Sequence, residues 1–432
     1  MLKPSKIRNL YPIFSVNRYP VGQYKVSVLD QINEIVELNP STGILQFKDG
    51  SKLFGIIKAI LLPPEDFSPY FSHNFGTLEK PDRKYCVCFS CANGKGNLKF
   101  CRHTKPFDKG IIVTTTVAEL NYGLSKKNYK LLQLCELYSY QKGVRLFKDF
   151  VQNVEDFKST LKDPIATKFL KGGLVSSYGY FMLKNREEKT KLCATLPEFQ
   201  DLLENCDVID FDPMGDHYLD VCFKNKANSP TNCFSNLILG AHISAYSRMI
   251  FDHKVSLLKE RLKSMKIYMM NVDAIAFTLN VNENLSGLIL YDTKIGAWKS
   301  EIKNLQEILS FSALSPHSYN LTYLTKSGVT ENISKVCGFS FKSIINSECL
   351  NQNLFKKLII DAVKGQKSKI SCLQVRNISN KTENQVEKKI LEYQIRNNLF
   401  NKRIVNDDFS TLPFGFSKKN GKYMQIKCTV DF

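Results

Sequence analysis

The stretch KSMKIYMMNVDAIAFTLN, residues 263–280, decides how the rest of the chain is read. Apolar residues flank Asn271-Val272-Asp273 on both sides, which predicts two strands joined by a tight turn. The turn carries one carboxylate, Asp273. A hairpin tip of this kind can present a carboxylate to a metal ion. A two-metal site needs more than one such ligand, and the position two before Asp273 is Asn271.

Upstream of the hairpin, NLILGAHISAYSRMIFDHKVSLLKERL predicts a long helix over 236–262. Residues 1–64 read as strands and hairpins, with turn signals at Asn39-Pro40 and Asp49-Gly50. SKLFGIIKAILLPP within them reads as a buried strand. IIVTTTVAELNYGL, from residue 111, predicts a strand and then a helix capped near Thr116. SYQKGVRLFKDFVQNVEDFKSTLKD has helical apolar spacing at Leu146, Phe147, Phe150, Val151, Val154 and Phe157. Helix continues from 161 and breaks at SSYGYF. Short helices and strands alternate after residue 295, and a lysine- and asparagine-rich tail of mixed character follows from about 350. The order predicts an α+β fold.

Lys and Arg outnumber Asp and Glu by 60 to 41, a formal net charge of +19 over 432 residues. Such an excess favours a polyanionic partner, nucleic acid before an anionic membrane surface. No apolar run reaches the roughly 18 residues of a membrane-spanning helix, so no membrane partner is expected. Thirteen scattered cysteines, with no signal peptide, favour an intracellular reducing compartment, nucleus or cytoplasm, over a disulfide scaffold.

Four stretches then acquire meaning from their order. RNLYPIFSVNRYPVG (8–22), FLKGGLVSSYGYF (169–181) and IYMMNVDAIAF (267–277) resemble motifs A, B and C of family B DNA polymerases. SALSPHSYNLTYL (312–324), followed by KVCGFSF (335–341), resembles the Lys-x-Tyr region and the strand leading to the thumb. The likeness is to the protein-primed branch of viruses, linear plasmids and Maverick/Polinton elements. It implies a right-hand polymerase core: a palm with an antiparallel sheet over 1–64 and 186–335, a helical fingers-like insert over 65–185, and a thumb-like remainder over 336–432. It also leaves the chain without the editing exonuclease that normally precedes motif A.

In that resemblance Tyr11 packs under the incoming sugar. Lys171 neutralises the triphosphate, with Ser176, Tyr178 and Gly179 in register and Val175 in place of asparagine. His317 replaces the lysine of Lys-x-Tyr, and Tyr319 is kept. The second motif C aspartate falls at Asp273, the first at Asn271, and the motif A aspartate at Lys6. Two of the three metal-site aspartates are thereby replaced. Lys6 would set a cation where a divalent metal belongs, a repulsion of several kcal/mol at low effective dielectric. One carboxylate does not hold two Mg²⁺. The leading expectation is a nucleic-acid-binding protein, DNA as primer–template or duplex, that has lost polymerase activity. Two others stay open: an active polymerase, using Mg²⁺ and a carboxylate not identified here, and a protein-interaction scaffold that keeps only the fold.

Between motifs A and B, Cys88-x₂-Cys91 with Cys101-x-His103 has the residue types and inner spacing of a tetrahedral zinc site, with Cys86 as a spare ligand. The alternative is a set of reduced loop cysteines that brace the insert. His242 and His253 sit among apolar residues of the 236–262 helix and read as packing histidines.

Overall fold

The computed structural model describes residues 2–7, 17–66, 68–77, 80–94, 101, 103–182, 188–214, 217–225, 236–280, 282–283, 297–300, 302, 304–315, 318–335, 357, 360–361, 364, 366, 369–379, 384–394, 402–406, 411–419 and 422–424. Its strands pair antiparallel throughout the described ladders. Among the described residues no helix is long and apolar enough to cross a membrane, and Cys86, Cys88, Cys91, Cys101, Cys135, Cys193, Cys206 and Cys222 form no disulfide.

The largest core lies under a four-stranded sheet ordered Tyr19–Val28, Lys130–Val144, Phe54–Leu62, Ile111–Thr116. Alternation sets its inner face: Ile57, Ala59 and Leu61 point one way and are fully buried, while Lys58 between them is exposed. Ile111, Val113 and Leu137 complete that face, and Val117 and Leu120 of the helix Val117–Lys126 cover it. That helix begins where expected, because the Thr116 side chain accepts a hydrogen bond from the Glu119 amide at 3.2 Å.

The helices Lys148–Thr160 and Pro164–Phe181 follow. Two details differ from the sequence reading. Ser139–Val144 finish the preceding strand, held by pairing to Tyr19–Val28 and Phe54–Leu62, so the first helix starts later. The second runs unbroken through SSYGYF to Phe181, with Leu174 buried against the 236–262 region. A smaller unit of three strands and the helix Leu196–Asn205 closes over Leu202, Val221 and Phe223. The acidic stretch from Asp207 lies mostly on its strands: Asp212 sits opposite Asp220, and Asp216 lies outside the described residues. Past residue 297 the described elements are mainly strands, including a three-stranded sheet over Leu305–Ser315, Ser318–Thr325 and Thr330–Lys335.

The long helix, Leu237–Arg261, joins two regions. Phe251, Val255, Leu258 and Leu262 recur at helical spacing and pack on Ile275, Phe277 and Trp298 beneath the hairpin. A further set of its contacts is polar and reaches the helix Val117–Lys126. The Arg248 guanidinium donates twice to the Glu119 carboxylate, Nε to Oε1 and a terminal nitrogen to Oε2, both at 2.7 Å. Tyr70 adds a 2.9 Å hydrogen bond and Thr115 a further one. One turn along, Tyr122 and Lys127 both reach the Asp252 carboxylate, at 2.6 and 2.5 Å.

Glu119 is 2% exposed. Burial alone would raise its pKa, but the hydrogen bonds and charge of Arg248, with those of Thr115 and Tyr70, outweigh it and hold the carboxyl below its usual range. A depressed folded pKa means the pair stabilises the fold above the unfolded value and the benefit is lost as pH falls through the folded one. Removing the cation strands a buried carboxylate. Arg248→Ala is therefore expected to destabilise toward the low end of about 3–5 kcal/mol, since the arginine itself is half exposed. In urea melts, the gap between variant and wild type should shrink as pH falls, because the variant's uncompensated, buried Glu119 takes up a proton first and the wild-type pair then loses its benefit as its own lowered pKa is approached.

Candidate functional site

The hairpin forms as its sequence implies. Lys266–Asn271 pairs with Ala274–Thr278, with Asn271 opposite Ala274, so Val272 and Asp273 make a two-residue turn. Val272 has φ 52, the hand that tight hairpins prefer at the first turn position. A β-branched residue there costs about 1–3 kcal/mol, and the surroundings enforce it. Ser264, before the hairpin, donates its amide and hydroxyl to Glu283 at 3.1 and 2.7 Å, and its hydroxyl accepts from the Asn280 amide at 2.9 Å. Both hairpin stems are thereby tied together.

The strand Leu2–Ile7 adds to the far edge of this hairpin, from 270 residues away, and pairs on its other side with Trp298–Ser300. Its register sets Leu2 opposite Thr278 and Lys6 opposite Ala274. Lys6, Asn271, Ala274 and Asp273 therefore meet at one corner of one sheet. Asn271 and Asp273 are half-buried there. Among the described residues, Asp273 belongs to no group of three or more His, Cys, Asp or Glu close enough to share a metal ion. Lys6 and Asn271 stand at the neighbouring positions of the sheet.

The other motif residues are distributed. Lys171, Ser176, Tyr178 and Gly179 lie on the helix Pro164–Phe181, where Ser176 and Gly179 are exposed. Tyr319 lies on Ser318–Thr325 in the three-stranded sheet, beside Phe311 and under the Lys335 ammonium at 5.4 Å. Tyr11 and His317 fall outside the described residues. His242 is a packing residue: it is buried, its Nδ1 lies 2.8 Å from the Ile238 carbonyl, and burial holds it below the usual histidine range, hence neutral. His253 is exposed.

The cysteine loop converges on one point. Cys88, Cys91, Cys101 and His103 bring four ligand atoms within 4.8 Å of one another, the cysteines buried and the histidine partly so. His103 Nδ1 stands 3.5, 3.5 and 3.7 Å from the sulfurs of Cys88, Cys91 and Cys101. A tetrahedron built on Zn–S and Zn–N bonds of 2.3 and about 2.05 Å has S···N edges of about 3.6 Å. Cys86 takes no part in this group; it is buried and its thiol is pushed up to about 12, first by burial. Within the group, hydrogen bonds from Cys88 and Cys91 hold the Cys101 thiol far below its usual range, while the same contacts push Cys88 up to about 11 and Cys91 higher still. Four ligand atoms with a favoured thiolate can hold a metal such as zinc, and four protein ligands leave no open position for chemistry.

No family model matches the chain, and no curated protein matches it in sequence. Solved structures do. Phi29 DNA polymerase, in its ternary complex with primer–template DNA and incoming nucleotide substrates, matches 90% of this chain with a TM-score of 0.55 at 13% identity. The chain has the fold of phi29 DNA polymerase. The orthorhombic crystal form of that polymerase matches the same share at 0.54 and 14% identity, and in both cases the chain spans 57% of the polymerase's length.

The sulfur–nitrogen geometry makes a direct forecast. Protein purified without chelator should carry about one equivalent of zinc by mass spectrometry, and Cys91→Ser should lose it.

Proposed function

We propose that this chain is a nucleic-acid-binding protein derived from a protein-primed family B DNA polymerase, with its polymerase chemistry lost or severely impaired. The observation that carries the reading is the register of Leu2–Ile7 against Ala274–Thr278, with Lys6 across from Ala274 and one residue from Asp273. That register agrees with the motif alignment, in which Lys6, Asn271 and Asp273 stand for three metal-site aspartates. The fold of phi29 DNA polymerase, a protein solved with primer–template DNA, and a net charge of +19 support DNA as the partner.

In this reading the primer–template lies across the palm hairpin, between the fingers helix that carries Lys171 and a thumb-like C-terminal part, and lysines and arginines grip its phosphates. The Cys₃His centre holds a structural zinc. Mg²⁺ has no role unless a further carboxylate completes the corner at Asp273.

Primer extension with Mg²⁺ or Mn²⁺ should stay at background. Incorporation that disappears in Asp273→Ala would overturn the loss of chemistry. Conversely, Lys6→Asp combined with Asn271→Asp should create Mn²⁺ affinity measurable by calorimetry, and an unchanged double mutant would break the alignment.

Binding itself should be largely sequence-independent and steeply salt-dependent, with log K falling about 0.9 per neutralised duplex phosphate for each unit of log salt. Lys171→Glu and Lys6→Glu should weaken duplex binding and flatten that slope by about one phosphate each, and Lys418→Glu by less. If the first two bind as wild type at every salt concentration, the cleft is not the nucleic-acid site and the scaffold reading takes its place.

A further inference from the structure

We infer that the Cys88/Cys91/Cys101/His103 centre is a metal-controlled anchor for the chain's C-terminal segment: Zn²⁺ bound there fixes residues 402–406 and 411–416 against residues 85–88, and docking of that segment tightens the metal site. The inference rests on the structural-zinc reading above.

The contact is continuous backbone pairing. The Tyr85 amide donates to the Lys402 carbonyl at 2.9 Å, the Phe414 amide to the Tyr85 carbonyl at 3.0 Å, and the Val87 amide to the Phe414 carbonyl at 2.9 Å. Cys86 and Phe414 form a parallel bridge. These bonds occupy the backbone immediately before Cys88, the first ligand. Side chains seal it: Val87 is fully buried against Leu412 and Phe416, with Ile404 alongside, and the Lys84 ammonium lies 5.6 Å from the Phe414 ring centre.

Gly415 ties the two features most closely. Its φ is +98, and a Cβ placed on it would sit 2.7 Å from the Cys88 Cβ and 3.1 Å from the Cys88 nitrogen. Only glycine lets the returning segment lie against the ligand itself.

The coupling runs both ways. Cys88 and Cys91 flank the start of the short helix Phe89–Asn93, while Cys101 and His103 come from beyond it. A metal ion is what ties these halves together, so its loss frees Cys88 and the strand-like residues 85–87 to move. Phe414 then loses its pairing partner. Conversely, without Phe414 the Tyr85 carbonyl and Val87 amide lose their hydrogen bonds, and the backbone that aims Cys88 is unsupported. Thermodynamic linkage makes the two effects equal in size.

The test uses the full chain, Zn²⁺ alone as ligand, and hydrogen exchange read residue by residue. Chelation should raise exchange at the Val87 and Phe414 amides about tenfold or more, within the usual range of such coupling, while Ile57 and Leu137 in the central sheet stay protected. Added Zn²⁺ should reverse the change. In chelator competition, Gly415→Val and the milder Leu412→Ala, neither a ligand, should each weaken Zn²⁺ binding, the former by about tenfold. Wild-type Zn²⁺ affinity in both variants, or exchange at Val87 and Phe414 indifferent to metal, would overturn the anchor while leaving the zinc site in place. Protein that takes up no Zn²⁺ at all would overturn the metal reading and the anchor with it.

Discussion

The bidentate ion pair between Glu119 and Arg248 is the constraint on which the arrangement depends. A carboxylate at 2% exposure is tolerable only when a cation and hydrogen-bond donors meet it. The sheet's covering helix is therefore stable only with Leu237–Arg261 laid against it in one register. Further along the same helix, on an adjoining face, Phe251, Val255, Leu258 and Leu262 form the apolar row that seats the hairpin. The polar contact thus helps set where Asp273 stands relative to a sheet whose strands come from elsewhere in the chain. Asp252, one turn along, repeats the tie through Tyr122 and Lys127.

The corner at Asp273 is held by packing and pairing rather than by the chemistry of its tip. The hairpin, its strained turn residue and the third strand are maintained by apolar burial and backbone pairing. Ile275, Ala276 and Phe277 are buried whatever charge sits at the tip. The packing beneath the tip therefore places no demand on the charge at positions 6 and 271.

The cysteine centre makes the opposite use of its residues. Its three sulfurs and one nitrogen are stacked behind a short helix, and their separations fit a tetrahedral ion. It lies where the chain's C-terminal segment returns to residues 85–88. A metal in such a centre would cross-link the two halves of the loop.

Much of this was legible in the residues. Alternation over 54–62, the 3.6-residue period over 237–261 and the apolar pair around a two-residue turn each dictate local structure, because burial of one face is decided within the element. The spacing of Cys88, Cys91, Cys101 and His103 named the ligand set for the same reason, since all four lie within sixteen residues of one another. The long-range partners were not legible. Glu119 stands three residues after Thr116, the spacing of a helix-capping glutamate, and nothing in its neighbourhood points to Arg248, 129 positions away. Lys6 opposite Ala274, and Gly415 against Cys88, are likewise pairings that no local pattern encodes. Sequence periodicity determined which faces are apolar. Only the tertiary structure decided which of those faces meet, because that choice is made by shape and charge matching between segments far apart in the chain.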